Sequence, residues 1–430
     1  MAIKIIVIGF VIFLAYFFAH LFRKRRVPDV LLLMLGGILA GPVFAWVAPE
    51  DFGAVGPVLT TIALIVILFD SGLSMKLKTL MEASGQALLI SAAAWSLSTA
   101  TVTAIMYVLT PLGWGMSFMT GAILGGTSSA VVIPLVEGLR MQEKPGTVAV
   151  LESTITDVLC IVGAVAALQI VKGEGGGGFA EITTSVLASF GFAVLIGILA
   201  GLVWTFVMGW VRDVPNTIFS TVAYVFVIYG FTELVDCSGA IAALAFGITL
   251  ANLAGVRIAR KRLVFEFFGV SKTERLFFSE IVFLLKIFFF IYLGISLRHA
   301  GIVYAAIGLT IVFFVYAGRI VLIRLIASRR YTRRDAAILS TLGPKGLAAA
   351  VLATMPVQEG LPNALWVEGI VYMVVLISIT LTSILVFVME RTPAGEAYFN
   401  WFGSFQPTED PEAAPVEPAG GGALAPPEGS

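Results

Sequence analysis

The fold class that the sequence predicts is an all-α polytopic membrane protein of about thirteen transmembrane helices, with inverted six-helix repeats and one broken helix in each half. Composition is the first observation, since 59% of the 430 residues are hydrophobic and 13% are charged. The mean hydropathy is +0.99, and a soluble core cannot hide that much apolar surface. The other two observations are a series of long apolar runs and a pair of Gly-rich breaks placed alike in the two halves of the chain.

Each apolar run that is long enough to cross a bilayer is predicted to be one span, because a membrane helix needs ~20 predominantly apolar residues. The first run is too long for a signal-peptide core and no small-residue cleavage site follows it, so we expect it to remain as a helix. The ninth run is short and could be a re-entrant or broken element. The predicted spans are 3–22, 30–48, 57–75, 85–109, 115–138, 147–171, 182–211, 217–235, 239–254, 279–297, 301–327, 335–356 and 364–390.

The positions of Lys and Arg predict the orientation, because cytoplasmic loops retain positive charge. Alternate loops hold most of the basic residues, from Arg23–Arg26 after the first span to Arg333 and Arg334 before the twelfth. The opposite loops hold little beyond Lys172 and Arg298. We therefore expect a multi-pass protein of the cell (inner) membrane, with its N-terminus outside and its C-terminus in the cytoplasm.

Residues 1–390 are predicted to form the transmembrane domain, and residues 391–430 a disordered cytoplasmic tail, because the tail is rich in Pro, Glu, Gly and Ala and has no apolar period. The formal net charge is zero and the basic residues form no continuous face, so no nucleic-acid partner is expected. Cys160 and Cys237 lie in or beside apolar runs, where a thiol usually packs, so neither a disulfide nor a cofactor site is expected.

Two predicted spans are interrupted in mid-membrane, the fifth by Gly125–Ser129 and the twelfth by Gly343–Gly346. If the seventh span is a link between two six-helix halves, each break falls in the fifth helix of its half. Matching interruptions in halves of opposite orientation are typical of an inverted repeat around a central ion site. The alternative interpretation is that small residues only allow close helix packing.

Ionisable residues at bilayer depth are candidate functional residues, because each costs roughly 2.5–3.5 kcal/mol to insert. Asp157 lies about ten residues into the sixth span, or ~15 Å, which is near the midplane. Glu152 is five residues earlier, ~140° around the helix, so the two carboxylates do not share a face. Arg319, inside the eleventh span, needs an acidic partner. We expect that partner to be Glu152, which leaves Asp157 to bind a proton or a cation; the alternative is a structural pair of Arg319 with Asp157.

Two more charges lie in predicted spans. Lys286, in the tenth, could titrate, or could instead snorkel or pair with Glu280. Asp70, in the cytoplasmic third of the third, could line a water-filled funnel or be an interfacial acid near Lys76.

The residues around these charges resemble the monovalent cation:proton antiporter superfamily, specifically its NhaP and sodium/proton-exchanger branch. The segment Glu152–Asp157 reads Glu-Ser-Thr-Ile-Thr-Asp, which is similar to the Glu-Ser-x-x-Asn-Asp of that branch. The segment Leu68–Leu73, which contains Asp70, is similar to its Leu-Phe-Glu/Asp-x-Gly-Leu. Arg319 stands where the family carries the Arg that pairs with the Glu. The resemblance covers residues 1 to about 390.

The resemblance implies an NhaA/NhaP-like homodimer with a dimerisation or scaffold set of helices and a six-helix core, about 85–171 and 301–390, that moves as an elevator. It also implies that the cation and the proton bind at Asp157, with Ser153, Thr156 and the Thr127 region as further oxygen ligands and with Asp70 reached through water. The metal ligands named on this basis are Asp157 and Ser153. The residues implied at the crossing of the broken helices are Gly126, Ser128, Gly343, Pro344 and Lys345.

Two departures from the family pattern concern ion selectivity. Thr156 replaces the usual Asn, which keeps a hydrogen-bonding group on a shorter side chain. Ser128 replaces the usual Asp, which removes one partner for the helix dipoles.

The predicted function is exchange of Na⁺ or K⁺ for H⁺, because oxygen ligands suit hard monovalent cations. Exchange is expected to be electroneutral and 1:1, since Asp157 is the one titrating carboxylate once Arg319 cancels Glu152. No enzyme activity and no cofactor beyond the transported ions are expected. Alternatives are an ion-coupled symporter or a gated K⁺ efflux system on the same fold. An intramembrane protease is disfavoured, because neither Gly-x-Gly-Asp nor Gly-x-Ser-Gly occurs in the sequence.

Overall fold

The computed structural model describes residues 29–52, 55–75, 85–173, 179–211, 218–235, 237–253, 257–260, 263–266, 272–297 and 301–407, together with residues 9, 13, 16 and 17. Almost all of the described chain is helical. The helices are α1 Asp29–Ile38, α2 Val55–Ser74, α3 Gly85–Leu109, α4 Trp114–Ile123, α5 Ser129–Gly138, α6 Glu143–Lys172, α7 Phe179–Val211, α8 Ile218–Leu234, α9 Gly239–Leu253, α10 Lys272–Ser296, α11 Ile302–Ile326, α12 Arg333–Thr341, α13 Leu347–Leu352, α14 Met355–Gln358, α15 Ala364–Arg391 and α16 Ala394–Asn400.

Short non-α elements complete the fold. A π-helical turn, Leu39–Val43, continues α1, and a 3₁₀ turn, Pro49–Phe52, precedes α2. Two four-residue antiparallel strands, β1 Arg257–Arg260 and β2 Leu263–Glu266, form a hairpin between α9 and α10. This hairpin is an addition to the all-helical prediction.

The described helices follow the predicted spans. After the first predicted span, most of which lies outside the described residues, a helix occupies the position of every span. Six described helices are long and apolar enough to cross a membrane by themselves. The fourth span, 85–109, has the same bounds as α3. Helix α10 begins seven residues before the predicted 279, because one polar turn, Lys272–Arg275, and the apolar residues Leu276–Phe278 precede that position.

The two predicted breaks are real interruptions of helix. The fifth span divides into α4 and α5 around residues 124–128, and the twelfth into α12 and α13 around residues 342–346. Gly and Pro at these positions disfavour continued helix, so the composition that predicted the breaks also explains them.

The helices pack as two sets. One set contains α3, α4, α5, α6, α11, α12, α13 and α15, and the other contains α1, α2, α7, α8, α9 and α10. Within the second set, helices approach closely where glycines face each other: a Cβ on Gly72 would collide with the Leu244 carbonyl of α9, and one on Gly247 with the Phe69 carbonyl of α2. Small residues allow this approach in a membrane, where apolar burial drives association less than tight packing does.

The beginning of the expected tail is ordered, which corrects the prediction of disorder from residue 391. Helix α16 follows α15, and Phe402 and Phe405 beyond it are buried. Gln406 exchanges backbone hydrogen bonds with the loop before α12, since its N–H donates to the Tyr331 carbonyl at 3.1 Å and its carbonyl accepts from the Arg333 N–H at 2.9 Å. The few aromatic residues in this short segment supply the buried area that its polar composition concealed. Residues 408–430 lie outside the described part of the chain.

Candidate ion-binding site

The two broken helices touch at their breaks. The backbone N–H of Ser128, just before α5, donates to the carbonyl of Pro344, between α12 and α13, at 2.8 Å. A Cβ on Gly346 would collide with the Oγ and Cβ of Ser128, so only glycine fits there. The crossing predicted for Gly126, Ser128, Gly343, Pro344 and Lys345 is thus where the two chain halves meet.

Lys345 lies inside this crossing and is 2% exposed. Its Nζ donates to the Gly126 carbonyl at 2.8 Å, and its backbone N–H donates to Ser378 Oγ of α15 at 3.0 Å. The Gly126 carbonyl follows the C-terminal end of α4, where helix carbonyls carry partial negative charge, so the ammonium stabilises that end. Lys345 therefore ties the second break to the first through its charge.

Side chains of α6 satisfy the N–H groups of the first break. The Thr127 N–H donates to Thr156 Oγ1 at 3.1 Å, and the two threonine hydroxyl oxygens lie 3.5 Å apart. The Gly126 N–H donates to Cys160 Sγ at 3.0 Å. These contacts fix the break against α6, because backbone groups buried in a membrane have no water to bond. Thr127 and Thr156, both predicted as ligands, are brought together, and both serve this anchoring.

Asp157 follows Thr156 on α6 and is half-buried. Its Oδ2 accepts a hydrogen bond from the hydroxyl of Ser129, the first residue of α5, at 2.7 Å. The partner is a neutral donor, so the carboxylate keeps its full charge when it is ionised. A carboxylate beside a broken helix, in a membrane protein, is a group that a proton or a small cation can neutralise.

Ser153 lies one turn before Asp157 on the same helix face. Its hydroxyl donates to the Val150 carbonyl at 2.9 Å, and its own carbonyl accepts from Thr156 Oγ1 at 3.2 Å. In this structure the Ser153 hydroxyl is therefore engaged with its own helix. A rotation about χ1 would be needed before it could join Asp157 in binding a cation.

Arg319 of α11 forms a buried ion pair with Glu152 of α6. Nη1 contacts Oε1, and Nη2 lies 2.9 Å from Oε2, with Glu152 1% and Arg319 6% exposed. Nε and Nη2 also donate to the Leu339 carbonyl of α12, at 3.2 and 2.9 Å. The guanidinium thus neutralises one acid of α6 and holds the last turn of α12, and the alternative pair of Arg319 with Asp157 does not form.

Two other predicted candidates lie in the second set of helices. Asp70 is half-buried on α2, and Lys286 is half-buried on α10. Glu280, the other residue considered for Lys286, accepts a hydrogen bond from the Tyr16 hydroxyl at 2.8 Å. The structure places neither Asp70 nor Lys286 on the helices that form the crossing.

Sequence reasoning missed three participants. Ser129 appeared there only as part of a helix-breaking cluster, Ser378 did not appear, and Cys160 was interpreted as packing alone. A serine at the first position of a half-helix is a signal that could have been used, because its hydroxyl is free to bond a neighbouring helix. For Ser378 and Cys160 the sequence carries no comparable signal.

The chain matches a family model described as "Sodium/hydrogen exchanger, transmembrane" over residues 9–391. Among curated relatives, it is 23% identical over 364 residues to the K(+)/H(+) antiporter NhaP2 of Shewanella baltica, a match that covers 83% of this chain and 61% of that protein. It is 26% identical over 254 residues to sodium/hydrogen exchanger 8 of Arabidopsis thaliana, covering 55% of this chain and 33% of that protein. The chain thus spans about three fifths of the length of the NhaP2 relatives.

Among solved structures, the fold is similar to that of the sodium proton antiporter MjNhaP1 from Methanocaldococcus jannaschii at pH 8, with a TM-score of 0.68 and 17% identity. That match covers 89% of this chain and 99% of the other. An electron-microscopy structure of the same antiporter gives a TM-score of 0.64 at 18% identity, covering 95% of this chain and all of the other. The helix arrangement is therefore shared over nearly the whole of that fold.

Proposed function

Because the chain belongs to the sodium/hydrogen exchanger family, we propose that it exchanges a monovalent cation, Na⁺ or K⁺, for H⁺ across the membrane, with Asp157 as the carboxylate that both ions share. The observation that carries the proposal is the separation of roles between Glu152 and Asp157 of α6. The guanidinium of Arg319 is engaged by Glu152 and by the Leu339 carbonyl, whereas Asp157 accepts from the neutral hydroxyl of Ser129. Asp157 is the acid that competing ions can neutralise.

Competition at one carboxylate is sufficient to couple the two ions. A bare Asp157 is costly to move through the low-dielectric interior, whereas the protonated or cation-bound form is neutral and moves more easily. A state that crosses only when occupied must carry either a proton or a cation in each direction. Coupling then needs no signal other than occupancy.

The oxygen ligands for the cation are proposed from what surrounds Asp157. Ser129 already contacts the carboxylate, Ser153 lies one turn away, and Thr127 is at the break beside Thr156. Hydroxyl and carbonyl oxygens of this kind suit Na⁺ or K⁺ rather than a soft metal. Asp70 stays a proposed group of the aqueous approach, on α2.

Electroneutral 1:1 exchange remains our proposal, with one amendment. The sequence-based charge count cancelled Glu152 against Arg319 and left out Lys345, which is buried in the crossing and donates to the Gly126 carbonyl. If Lys345 keeps its proton in every state, each transport cycle moves one positive charge inward and one outward, and no net charge crosses the membrane. If Lys345 released a proton when the cation bound, exchange would become electrogenic, worth ~2.3 kcal/mol per extra charge per 100 mV. Dependence of exchange on an imposed membrane potential distinguishes the two.

The proposed movement is an elevator-type displacement of the set that contains α6, α12 and α13 against the set that contains α2, α9 and α10. Support comes from the way the charged elements are grouped: Asp157, Glu152, Arg319 and Lys345 all belong to the first set. Such a set can move as one body with its charges compensated. We likewise propose that the protein forms the homodimer that the family implies. We also propose that its C-terminus lies in the cytoplasm.

The test is Asp157→Asn, which fixes the neutral state. In everted vesicles, we expect the variant to lose Na⁺- and K⁺-dependent proton exchange while it remains monodisperse in detergent. The matched control is Glu143→Gln, an exposed acid in the first turn of the same helix, which should exchange like the parent. Substantial exchange by Asp157→Asn would reject Asp157 as the shared site.

A symporter or a gated K⁺ efflux system is the competing proposal on the same fold. Only an exchanger must swap the two ions at one site. Adding Na⁺ or K⁺ to unbuffered, detergent-solubilised protein should therefore release protons in the parent and not in Asp157→Asn.

A further inference from the structure

A polar cavity of about 120 Å³ lies where the two sets of helices meet. Lys172 ends α6, Glu359 follows α14, and Glu233 lies in the last turn of α8. Helix α6 begins soon after Arg140, carries Lys144 in its first turn and is long and apolar enough to cross a membrane. Its end at Lys172 is therefore expected on the face opposite Arg140 and Lys144. The charge asymmetry of the loops predicts that this face is external.

The described lining of the cavity has more acidic than basic side chains. Lys172 Nζ lies 2.6 Å from Glu359 Oε2, with side chains 31% and 35% exposed. Glu233 Oε1 accepts the backbone N–H of Gly239 at 2.7 Å. Among the described lining residues there are two carboxylates and one ammonium. This part of the cavity therefore has an excess of negative charge and attracts cations.

Along α6, the lining of the cavity extends from Lys172 back to Val165. The apolar part of its lining includes Leu64, Val165 and Leu168, which are 3%, 6% and 6% exposed. Val165 is eight residues beyond Asp157 on α6, or about 12 Å at 1.5 Å per residue. The lining of the cavity therefore ends about 12 Å along the α6 axis from the shared carboxylate.

Both sets of helices contribute to the cavity wall. Lys172 and Glu359 come from α6 and the end of α14, whereas Glu233 comes from α8 and Leu64 from α2. A displacement of α6 relative to α2 and α8 would change the distance between Glu233 and the ion pair, and would separate Leu64 from Val165 and Leu168 or bring them closer. The cavity is thus placed where an alternating-access movement acts.

We propose that this cavity is the outer vestibule of the exchange pathway, a weak binding site for the transported monovalent cation in which Glu233 and Glu359 attract the cation and Lys172 competes with it. This inference rests on the proposed exchange function. It assigns opposite effects to residues in one cavity: removing Glu233's charge weakens cation binding from this side, and removing the charge of Lys172 strengthens it.

The test measures the KM for Na⁺ or K⁺, whichever the parent transports, from each side of the membrane, in right-side-out and everted vesicles. Glu233→Gln should raise KM on the Lys172 side about 3- to 5-fold, and Lys172→Met should lower it by a similar factor, as expected for partly exposed charges. Both variants should leave KM on the other side unchanged. Glu143→Gln, at the other end of α6, is the matched control and should leave the KM on the Lys172 side as in the parent.

The sign of the two effects decides the outcome. A structural role would lower the maximal rate of both variants, or move both KM values in the same direction, and either result would overturn the vestibule. Active variants with the parent's KM on the Lys172 side would overturn it also. A parent that exchanges no cation for protons in either orientation would overturn the proposed function, and the vestibule with it.

Discussion

Replacing Arg319 by Met should destabilise the protein through the charge that it leaves behind. Glu152 would remain in a site where its side chain is 1% exposed, without the two guanidinium contacts that now neutralise it. Removing one partner of a buried ion pair costs about 3–5 kcal/mol. The Leu339 carbonyl also loses its two donors, and an unsatisfied buried acceptor costs about 1–3 kcal/mol. Since these losses overlap, we expect a total near 5 kcal/mol.

The double variant Glu152→Met, Arg319→Met separates charge from packing. It removes both charges and keeps two long apolar side chains, a change that is often neutral for a buried pair. Only the Leu339 carbonyl is then left without its donors, so the expected cost falls to about 1–3 kcal/mol. Arg324→Met, an exposed arginine in the last turn of the same helix, is the control and should cost less than about 1 kcal/mol.

The measurement is the fraction of purified, detergent-solubilised protein that stays monodisperse after heating across a range of temperatures. The expected order of heat stability is parent and Arg324→Met, then the double variant, then Arg319→Met. A single variant as heat-stable as the parent would show that the pair does not stabilise the fold. A double variant no better than the single would show that the stranded charge is not the cause.

Two predictions concern the crossing and its acid. Gly346→Ala should lower both heat stability and exchange, because the new Cβ collides with Ser128, and adding Ser128→Gly should restore much of both; failure of the second change to help would mean that the clash is not the cause. Ser129→Ala removes a donor that favours the ionised form of Asp157, and a hydrogen bond to a charged group is worth about 1.5–3 kcal/mol. Proton release then requires a higher pH, so the pH profile of exchange should move up by about 1–2 units; an unmoved profile would contradict the contact.

Much of the fold could be predicted from the length of the apolar runs and from the free-energy cost of placing a charge in the membrane. The apolar run 85–109 predicted α3 to the residue, because apolar length is the dominant constraint on a membrane helix. Likewise, Arg319 cannot lie unpaired in hydrocarbon, and the choice of Glu152 as its partner used only the placement of Glu152 and Asp157 on one helix. In the structure, Arg319 Nη1 contacts Glu152 Oε1.

What the sequence did not predict depends on how separate helices are placed side by side. Ser129 reaches Asp157 because α5 packs against α6 at the break, and no spacing along the chain encodes that approach. Lys172, Glu233 and Glu359 come from three distant segments and share one cavity only after folding. The polar composition beyond residue 391 concealed a few aromatic side chains that are sufficient to order a short segment.

That short segment links the chain's exit from the membrane to the crossing. Tyr398 of α16 shares a 2.8 Å hydrogen bond with Ser340 of α12, adjacent to the Leu339 carbonyl that binds Arg319. The Arg329 guanidinium lies 4.8 Å from the centre of the Phe405 ring. A fusion or affinity handle attached after residue 407 leaves both contacts in place. A truncation at residue 391 removes Tyr398 and Phe405, and with them the contacts that this segment makes with α12 and the loop before it. A protein that binds the chain near residue 407 would therefore act on α12 through the Tyr398–Ser340 hydrogen bond, one residue from the carbonyl that holds Arg319.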